Sequence, residues 1–320
     1  MVFKLKGNDV IKEQDIEVTE SLIGIYGYNN SGKTTILKEL DKVIDEENIK
    51  CIVNDGEYIR SLFIPTNRVI VRQAHTSSTQ IKDIEEFLAY KKDSYNEFDL
   101  HLKLIRENLL SNISVKQVIK NAILYMFGED YEFDFDRRQS DGVENIINIY
   151  CSIIWLFTWD KDIEDIKYDK LKQLLCDTSA VVMIDEIEAF LHVYVQSRML
   201  QKFKEDFSKC SFVFTTHSPL LLSRYYNIRK FQLDNGILNE INADLYYKDL
   251  DNIYEDYFNV EEFPKEVGEI INRLGDYICG EEYNRDVIVK DLEILNEQYA
   301  NVKAKYPGLV AKAEVKLGVE

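Results

Sequence analysis

The sequence has few prolines and glycines, which interrupt helices and strands, and few cysteines, which can cross-link a chain. It has four prolines and 13 glycines in 320 residues, and its five cysteines show no C-x-x-C spacing. Cysteines of this kind are typical of free thiols in a reducing cytoplasm rather than of a disulfide framework. The length and the 45% hydrophobic content favour a globular chain, with one large domain and an appendage or two moderate domains.

Long apolar runs are also missing. The longest, Ile146–Phe157, is interrupted by Asn148 and Ser152 and is far shorter than the roughly 20 residues that cross a bilayer. The first residues, Met1–Lys6, alternate like a strand and lack the apolar core of a secretory signal. We therefore expect a cytoplasmic protein with no membrane partner.

Basic residues are scarce relative to acidic ones. Lys and Arg number 39 against 57 Asp and Glu, which gives a net charge of −18. A uniformly acidic surface repels a phosphate backbone, so this balance disfavours DNA as a partner. A local basic groove remains compatible with it, because net charge does not describe how charges are distributed.

Strand and helix patterns alternate along most of the chain. Short apolar runs predict strands, and helical spacing predicts helices between them. This alternation predicts an α/β fold with a mainly parallel sheet. The predicted strands are Val2–Leu5, Ile16–Val18, Leu22–Tyr26, Leu62–Ile64, Val69–Val71, Tyr131–Phe135, Val181–Ile184 and Phe212–Thr215. We expect one α/β domain over residues 1–235, with a helical insertion at about 77–130, and a mostly helical tail over residues 236–320.

One glycine-rich segment lies between a predicted strand and a predicted helix. Residues 27–34 match G-x-x-x-x-G-K-[ST], the pattern of a phosphate-binding loop. In such a loop backbone N–H groups surround the phosphates, the Lys33 ammonium neutralises them, and the Thr34 hydroxyl binds Mg²⁺. The pattern predicts an ATP site formed by Gly27, Asn29, Asn30, Ser31, Gly32, Lys33, Thr34 and Thr35.

Two carboxylates, Asp185 and Glu186, follow the predicted strand Val181–Ile184. In a phosphate-loop ATPase an Asp at such a strand end lies beside the loop and coordinates Mg²⁺. The next residue, Glu186, is then placed to activate the attacking water as a general base. Because acidic residues often end an apolar strand, the pair indicates an ATPase site only in combination with the phosphate loop.

A third strand ends at His217, about 30 residues after the acidic pair, which is the interval that one crossover helix requires. A lone histidine at a strand end is more often packed or solvated than functional. The spacing nevertheless allows His217 to face the γ-phosphate.

The tripeptide Ser140-Asp141-Gly142 precedes a helix pattern. Ser140 can act as its N-cap, so that free N–H donors point at an anion. By itself the tripeptide is also an ordinary helix start. Its position between the phosphate loop and the acidic pair favours anion binding.

The order of these motifs resembles the ABC-type P-loop ATPases of the SMC/Rad50/RecF/OLD group. The chain is similar to small stand-alone members of this group, such as the ATPase subunits of the antiphage systems Septu and PARIS. This similarity is carried by residues 184–192, Gln196 and Thr216–Pro219. The resemblance implies an ABC-type fold, Mg²⁺-dependent ATP hydrolysis and an ATP-sandwich homodimer. It also implies that Ser140 and the N–H of Gly142 bind the γ-phosphate of the ATP held by the other protomer.

The sequence departs from this family pattern at several positions. Asn30 replaces a usual Gly, but Asn tolerates left-handed backbone, so the loop should survive. The family's signature sequence corresponds here to the tripeptide Ser140-Asp141-Gly142, in which Asp141 replaces the first Gly; Val143 then replaces the usual Gln or Glu. We assign the Q-loop glutamine to Gln73, and Arg68 is a further candidate for the edge of the site.

The sequence carries no recognisable effector chemistry beside the ATPase motifs. Asp134 and Asp136 form a notable acidic pair, but two acids on one face of a strand are usually just solvated. The resemblance therefore implies an ATPase subunit that regulates a separate effector, such as a nuclease in antiphage defence. The alternatives are a RecF- or SMC-like ATPase acting on DNA in repair, a transporter subunit, and an ATP-gated scaffold that barely hydrolyses ATP.

Overall fold

The computed structural model of the chain describes residues 1–18, 22–53, 59–66, 98–225, 227–241, 264–280, 283–299 and 306–318. The chain divides into two compact units, Met1–Leu250 and Asp251–Glu320. The predicted strand Val69–Val71 and the candidate site residues Arg68 and Gln73 lie outside the described residues.

The described residues of the first unit form two sheets. The strands are β1 (Val2–Leu5), β2 (Gln14–Glu17), β3 (Leu22–Tyr26), β4 (Ser61–Ile64), β5 (Ala180–Ile184), β6 (Cys210–Thr215), β7 (Ile228–Asp234) and β8 (Ile237–Glu240). β1 and β2 form an antiparallel pair, and the other six strands form one sheet in the order β4-β5-β6-β3-β7-β8. All neighbours in this sheet are parallel except β7 and β8. The predicted α/β class, with a mainly parallel sheet and antiparallel N-terminal strands, is confirmed.

The central strands explain why chemistry collects at one edge. Every residue of β3, β5 and β6 is buried, as expected for parallel strands with both faces covered. Ile25 lies opposite Thr215, and Ile184 lies opposite Phe214. The carboxyl ends of the three strands are therefore adjacent, and the segments that follow them start from the same edge of the sheet.

The helices of the first unit are α1 (Lys33–Val53), α2 (Phe98–Leu109), α3 (Ile113–Phe127), α4 (Asp141–Thr158), α5 (Tyr168–Asp177), α6 (Val193–Asp206) and α7 (Pro219–Ser223). Nearly all of α4 is buried, including Ile146, Tyr150 and Phe157, so the longest apolar run of the sequence is a core helix. None of the described helices is long and apolar enough to cross a membrane.

One sequence prediction of secondary structure needs correction, and one predicted domain boundary lies inside a structural element. Tyr131–Phe135 forms irregular backbone and a turn rather than a strand. The predicted boundary at residue 235 falls within a β-hairpin, since β7 and β8 pair across Asn235 and Gly236. Both turn residues have positive φ, 48° and 77°, which is the conformation that an Asn-Gly hairpin turn requires. The chain thus returns to the sheet after residue 235, and the first unit continues to Leu250.

The second unit has its own core. Its helices are α8 (Lys265–Cys279), α9 (Arg285–Gln298) and α10 (Pro307–Leu317). Apolar side chains of all three pack together, among them Ile270, Leu292 and Val310. Arg273 on α8 holds Asp291 on α9 with two hydrogen bonds of 2.8 Å, which fixes the pairing of these helices.

Candidate nucleotide site

The loop between β3 and α1 has the backbone of a phosphate-binding loop. Asn30 and Gly32 have φ values of 63° and 98°, so Asn30 adopts the left-handed conformation that it was expected to tolerate. A Cβ on Gly32 would lie 2.6 Å from Val10 Cγ1, and one on Gly27 would lie 2.7 Å from the Leu233 carbonyl oxygen. Both glycines of the motif are therefore required by space, and at Gly32 by the backbone conformation as well.

Lys33 lies over this loop. Its Nζ donates hydrogen bonds of 2.9 Å to the carbonyl oxygens of Gly27 and Tyr28, and only 7% of the residue is exposed. Burial lowers the pKa of Lys33, whereas the charges of Asp185, Glu186 and Glu188 raise it. A cation held at low hydration between a loop and acids can bind phosphate without a large further loss of water.

Asp185 joins three segments of the fold. Its Oδ2 accepts hydrogen bonds from Thr34 Oγ1 at 2.8 Å and from Thr66 Oγ1 at 3.0 Å. Its Oδ1 accepts one from Thr215 Oγ1 at 2.6 Å. The Asp185 residue is 4% exposed. The two residues predicted to bind Mg²⁺, Thr34 and Asp185, are thus in direct contact.

These oxygen atoms fit Mg²⁺, which prefers hard oxygen ligands and is bound by one or two protein groups together with water and phosphate. Within the described part of the chain, no cluster of three or more His, Cys, Asp or Glu could hold a metal alone. Such a donor set suits an ion that arrives with a nucleotide. Sequence reasoning missed Thr66 as a residue of this site. The one sequence feature that points to it is its position just after β4, the strand that pairs with β5.

Glu186 follows directly and has an unusual backbone. Its φ is 45°, in the left-handed region that costs a non-glycine residue about 1–3 kcal/mol. The Glu186 N–H donates to Thr215 Oγ1 at 2.7 Å, while the same hydroxyl donates to Asp185. One threonine side chain at the end of β6 therefore holds both the carboxylate predicted to bind Mg²⁺, that of Asp185, and the backbone of the predicted general base, Glu186.

We expect Thr215→Val to destabilise the protein by about 1–3 kcal/mol, because it leaves the buried Asp185 carboxylate and the Glu186 N–H each short of a partner. Denaturant unfolding monitored by circular dichroism measures the change. Thr178→Val is the matched control, since the Thr178 hydroxyl donates only to the Leu174 carbonyl at the end of α5. Equal losses in the two variants would contradict the special role of Thr215.

The signature tripeptide lies at the start of α4. Ser140 occupies the N-cap position, but its side chain makes no capping hydrogen bond. Gly142 is buried, and a Cβ there would lie 2.7 Å from the Phe190 carbonyl oxygen. Asn145 on the next turn donates to the Ala189 carbonyl at 2.6 Å. The tripeptide is therefore packed against the loop that follows Glu186, and no hydrogen bond between described residues joins it to the phosphate loop of the same chain.

His217 follows β6 at the same edge of the sheet. The N–H of the preceding residue, Thr216, donates to the Ile25 carbonyl at the end of β3, 3.0 Å away. The His217 residue is exposed, and its own N–H donates to Glu188 Oε1. The structure thus brings together the segments of Lys33, Thr34, Asp185, Glu186 and His217 at the carboxyl ends of neighbouring strands.

Comparison with known proteins gives one family match. Residues 171–223 match the sequence model of the family described as "AAA domain, putative AbiEii toxin, Type IV TA system". The matched stretch begins in α5 and ends with α7, so it includes Asp185, Glu186 and His217 but not the phosphate loop.

Two relatives match a larger part of the chain. The Septu protein PtuA of Bacillus mycoides (strain KBAB4) is 27% identical over 212 residues, which cover 57% of this chain and 29% of that protein. The "Retron Ec83 probable ATPase" of Escherichia coli is 25% identical over 148 residues, which cover 42% of this chain and 27% of that protein. The chain therefore spans less than a third of the length of these relatives. The predicted likeness to a Septu ATPase is confirmed.

Among solved structures, an ATP-binding subunit of an ABC transporter matches with a TM-score of 0.43 and 16% identity, covering 80% of this chain and 97% of that chain. This likeness is weak. The fold assignment depends on the strand order and registers described above.

Proposed function

We propose that the chain is an ATP-binding and ATP-hydrolysing subunit that forms an ATP-sandwich homodimer and regulates a separate effector. The observation that carries the proposal is the Asp185 carboxylate, which bonds the Thr34 hydroxyl of the phosphate loop and the Thr215 hydroxyl of β6. This contact places an acidic strand end against a phosphate loop, as hydrolysis of a nucleoside triphosphate requires.

Each residue of the site then has a defined task. The loop N–H groups and Lys33 bind the β- and γ-phosphates, and Thr34 and Asp185 hold Mg²⁺. When bound, Mg²⁺ supplies charge neutralisation of the phosphate oxygens. Glu186 accepts the proton of the attacking water as the water oxygen bonds to the γ-phosphorus; the bond from that phosphorus to the β–γ bridging oxygen breaks, which releases ADP and phosphate. His217 contacts the γ-phosphate from the neighbouring strand end.

The second half of the site comes from another copy in this proposal. Ser140 is an exposed residue at the N-terminus of α4, and its hydroxyl makes no capping hydrogen bond with that helix. Shortly after the acidic pair Asp185-Glu186 in the sequence, three large apolar side chains are exposed, namely Phe190, Val193 and Tyr194. We place Ser140 and Gly142 against the γ-phosphate bound by the partner protomer, and assign Gln73 to the Q-loop.

The effector in this proposal is a separate protein. The likeness to the Septu protein PtuA and to a retron ATPase supports a role in antiphage defence. A nuclease is the effector that fits such a system.

The test uses the wild-type chain with ATP. We expect phosphate release that needs Mg²⁺ and stops with EDTA, together with an ATP-dependent shift from monomer to dimer in sedimentation velocity. A chain that binds ATP but releases no phosphate over hours would instead identify an ATP-gated scaffold. A chain that binds no ATP at all would overturn the proposal.

A further inference from the structure

A third acidic residue of the segment after β5, Glu188, has no task in the mechanism above. Its Oε1 accepts a hydrogen bond of 2.5 Å from the backbone N–H of His217. Its Oε2 is buried and has no hydrogen-bond partner among the residues that the structure describes. Glu188 thus reaches from the loop that carries Glu186 to the segment that carries His217.

Keeping a carboxylate in this place is costly. Burial raises the pKa of Glu188, and the hydrogen bond from the His217 N–H opposes this rise. A neutral acceptor could bond the same N–H with a smaller loss of hydration. A charged acceptor, however, forms a hydrogen bond roughly twice as strong as a neutral one. The carboxylate therefore holds the His217 N–H more firmly than a neutral acceptor would, which offsets its loss of hydration.

A second residue holds the same segment from the other side. Gln196 on α6 is buried; its Nε2 donates to the Leu191 carbonyl at 2.9 Å, and its Oε1 accepts from Ser218 Oγ at 2.7 Å. The His217 backbone N–H and the side chain of the next residue, Ser218, are thereby tied to residues that follow the acidic pair. The histidine side chain stays accessible while its backbone is fixed.

We propose that Glu188 is a positioning residue for ATP hydrolysis, which sets the place of His217 relative to Glu186 by bonding the His217 N–H, with Gln196 as the second tie. The inference rests on the proposed function. It assigns Glu188 no contact with ATP or Mg²⁺, so its loss should slow the chemical step far more than it weakens nucleotide binding.

The experiment compares Glu188→Ala, Glu188→Gln and Gln196→Ala in the full chain. Small misplacement of a catalytic group can cost on the order of 100-fold in rate, so we expect kcat to fall about 10- to 100-fold in Glu188→Ala. Glu188→Gln keeps an acceptor for the N–H and should recover part of the rate. KM and the Kd of a fluorescent ATP analogue should change much less than kcat, since Lys33 and the N–H groups of the phosphate loop keep their contacts with the phosphates.

The double variant Glu188→Ala/Gln196→Ala tests whether the two ties act on one segment. If they do, its loss of kcat is smaller than the product of the two single losses. Glu129→Ala is the control, because Glu129 is exposed after α3.

Three results would overturn the inference. One is a wild-type kcat in Glu188→Ala, a second is a raised KM with unchanged kcat in that variant, and a third is a kcat in Glu188→Gln no higher than in Glu188→Ala. If Glu188→Ala fails to fold, a wild-type kcat in Gln196→Ala overturns the inference. Absence of turnover in the wild type would instead refute the proposed function, and this inference with it.

Discussion

Replacing Glu186 with Gln is expected to reduce ATP turnover by about 10²–10⁴-fold while ATP binding persists. An amide has nearly the shape of the carboxylate but cannot accept the proton of the attacking water. The Glu186 contact with Thr215 involves the backbone N–H, and the bonds of Asp185 to Thr34 and Thr215 do not involve residue 186, so all three should survive the substitution.

Phosphate release measures the turnover of this variant, and a fluorescent ATP analogue measures its affinity. Because the γ-phosphate is retained, sedimentation with ATP and Mg²⁺ should show more dimer than for the wild type. Glu129→Gln, an exposed acid after α3, is the matched control and should behave as wild type. An unchanged hydrolysis rate in Glu186→Gln would remove Glu186 from the role of general base.

Replacing Lys33 with Ala is expected to weaken ATP binding by about 100-fold or more. A hydrogen bond to a charged group contributes about 1.5–3 kcal/mol, and this ammonium is the one cation of the loop motif placed to meet two phosphate groups. The fold should survive, because the groups that lose a partner are the Gly27 and Tyr28 carbonyls. Burial already lowers the pKa of Lys33, so removing the charge also removes a desolvation cost.

Calorimetric titration with Mg-ATP measures this loss, and the rise in melting temperature that bound ATP gives the wild type should disappear. Lys38→Ala is the matched control, since Lys38 is an exposed lysine of the same helix, α1. Wild-type affinity in Lys33→Ala would show that residues 27–34 are not the phosphate site.

The two predictions separate binding from chemistry. Lys33→Ala should abolish nucleotide-dependent dimerisation, whereas Glu186→Gln should strengthen it. A switch that is driven by ATP binding and reset by hydrolysis requires both results. If both variants lost the dimer, the ATP-sandwich arrangement with Ser140 and Gly142 of the partner would need another explanation.

The sequence by itself determined the features that depend on neighbouring residues. The phosphate loop follows from the spacing of Gly27, Gly32 and Lys33, and the left-handed Asn30 follows from its side chain. The buried strands follow from their apolar runs, and the α/β class follows from their alternation with helices. The Asn235-Gly236 hairpin carries an equally local signal, although the predicted domain boundary at 235 did not use it.

Only the tertiary structure decided which distant side chains meet. Thr66 lies 119 positions from Asp185 and Thr215 lies 30 positions from it, yet both hydroxyls bond its carboxylate. The contacts of Glu188 with His217 and of Asn145 with Ala189 are of the same kind. They arise because the sheet places β4, β5, β6 and β3 side by side, and strand order depends on packing across the whole domain. Local sequence patterns do not contain that order, so they predicted the residues of the site but not the bonds that hold it together.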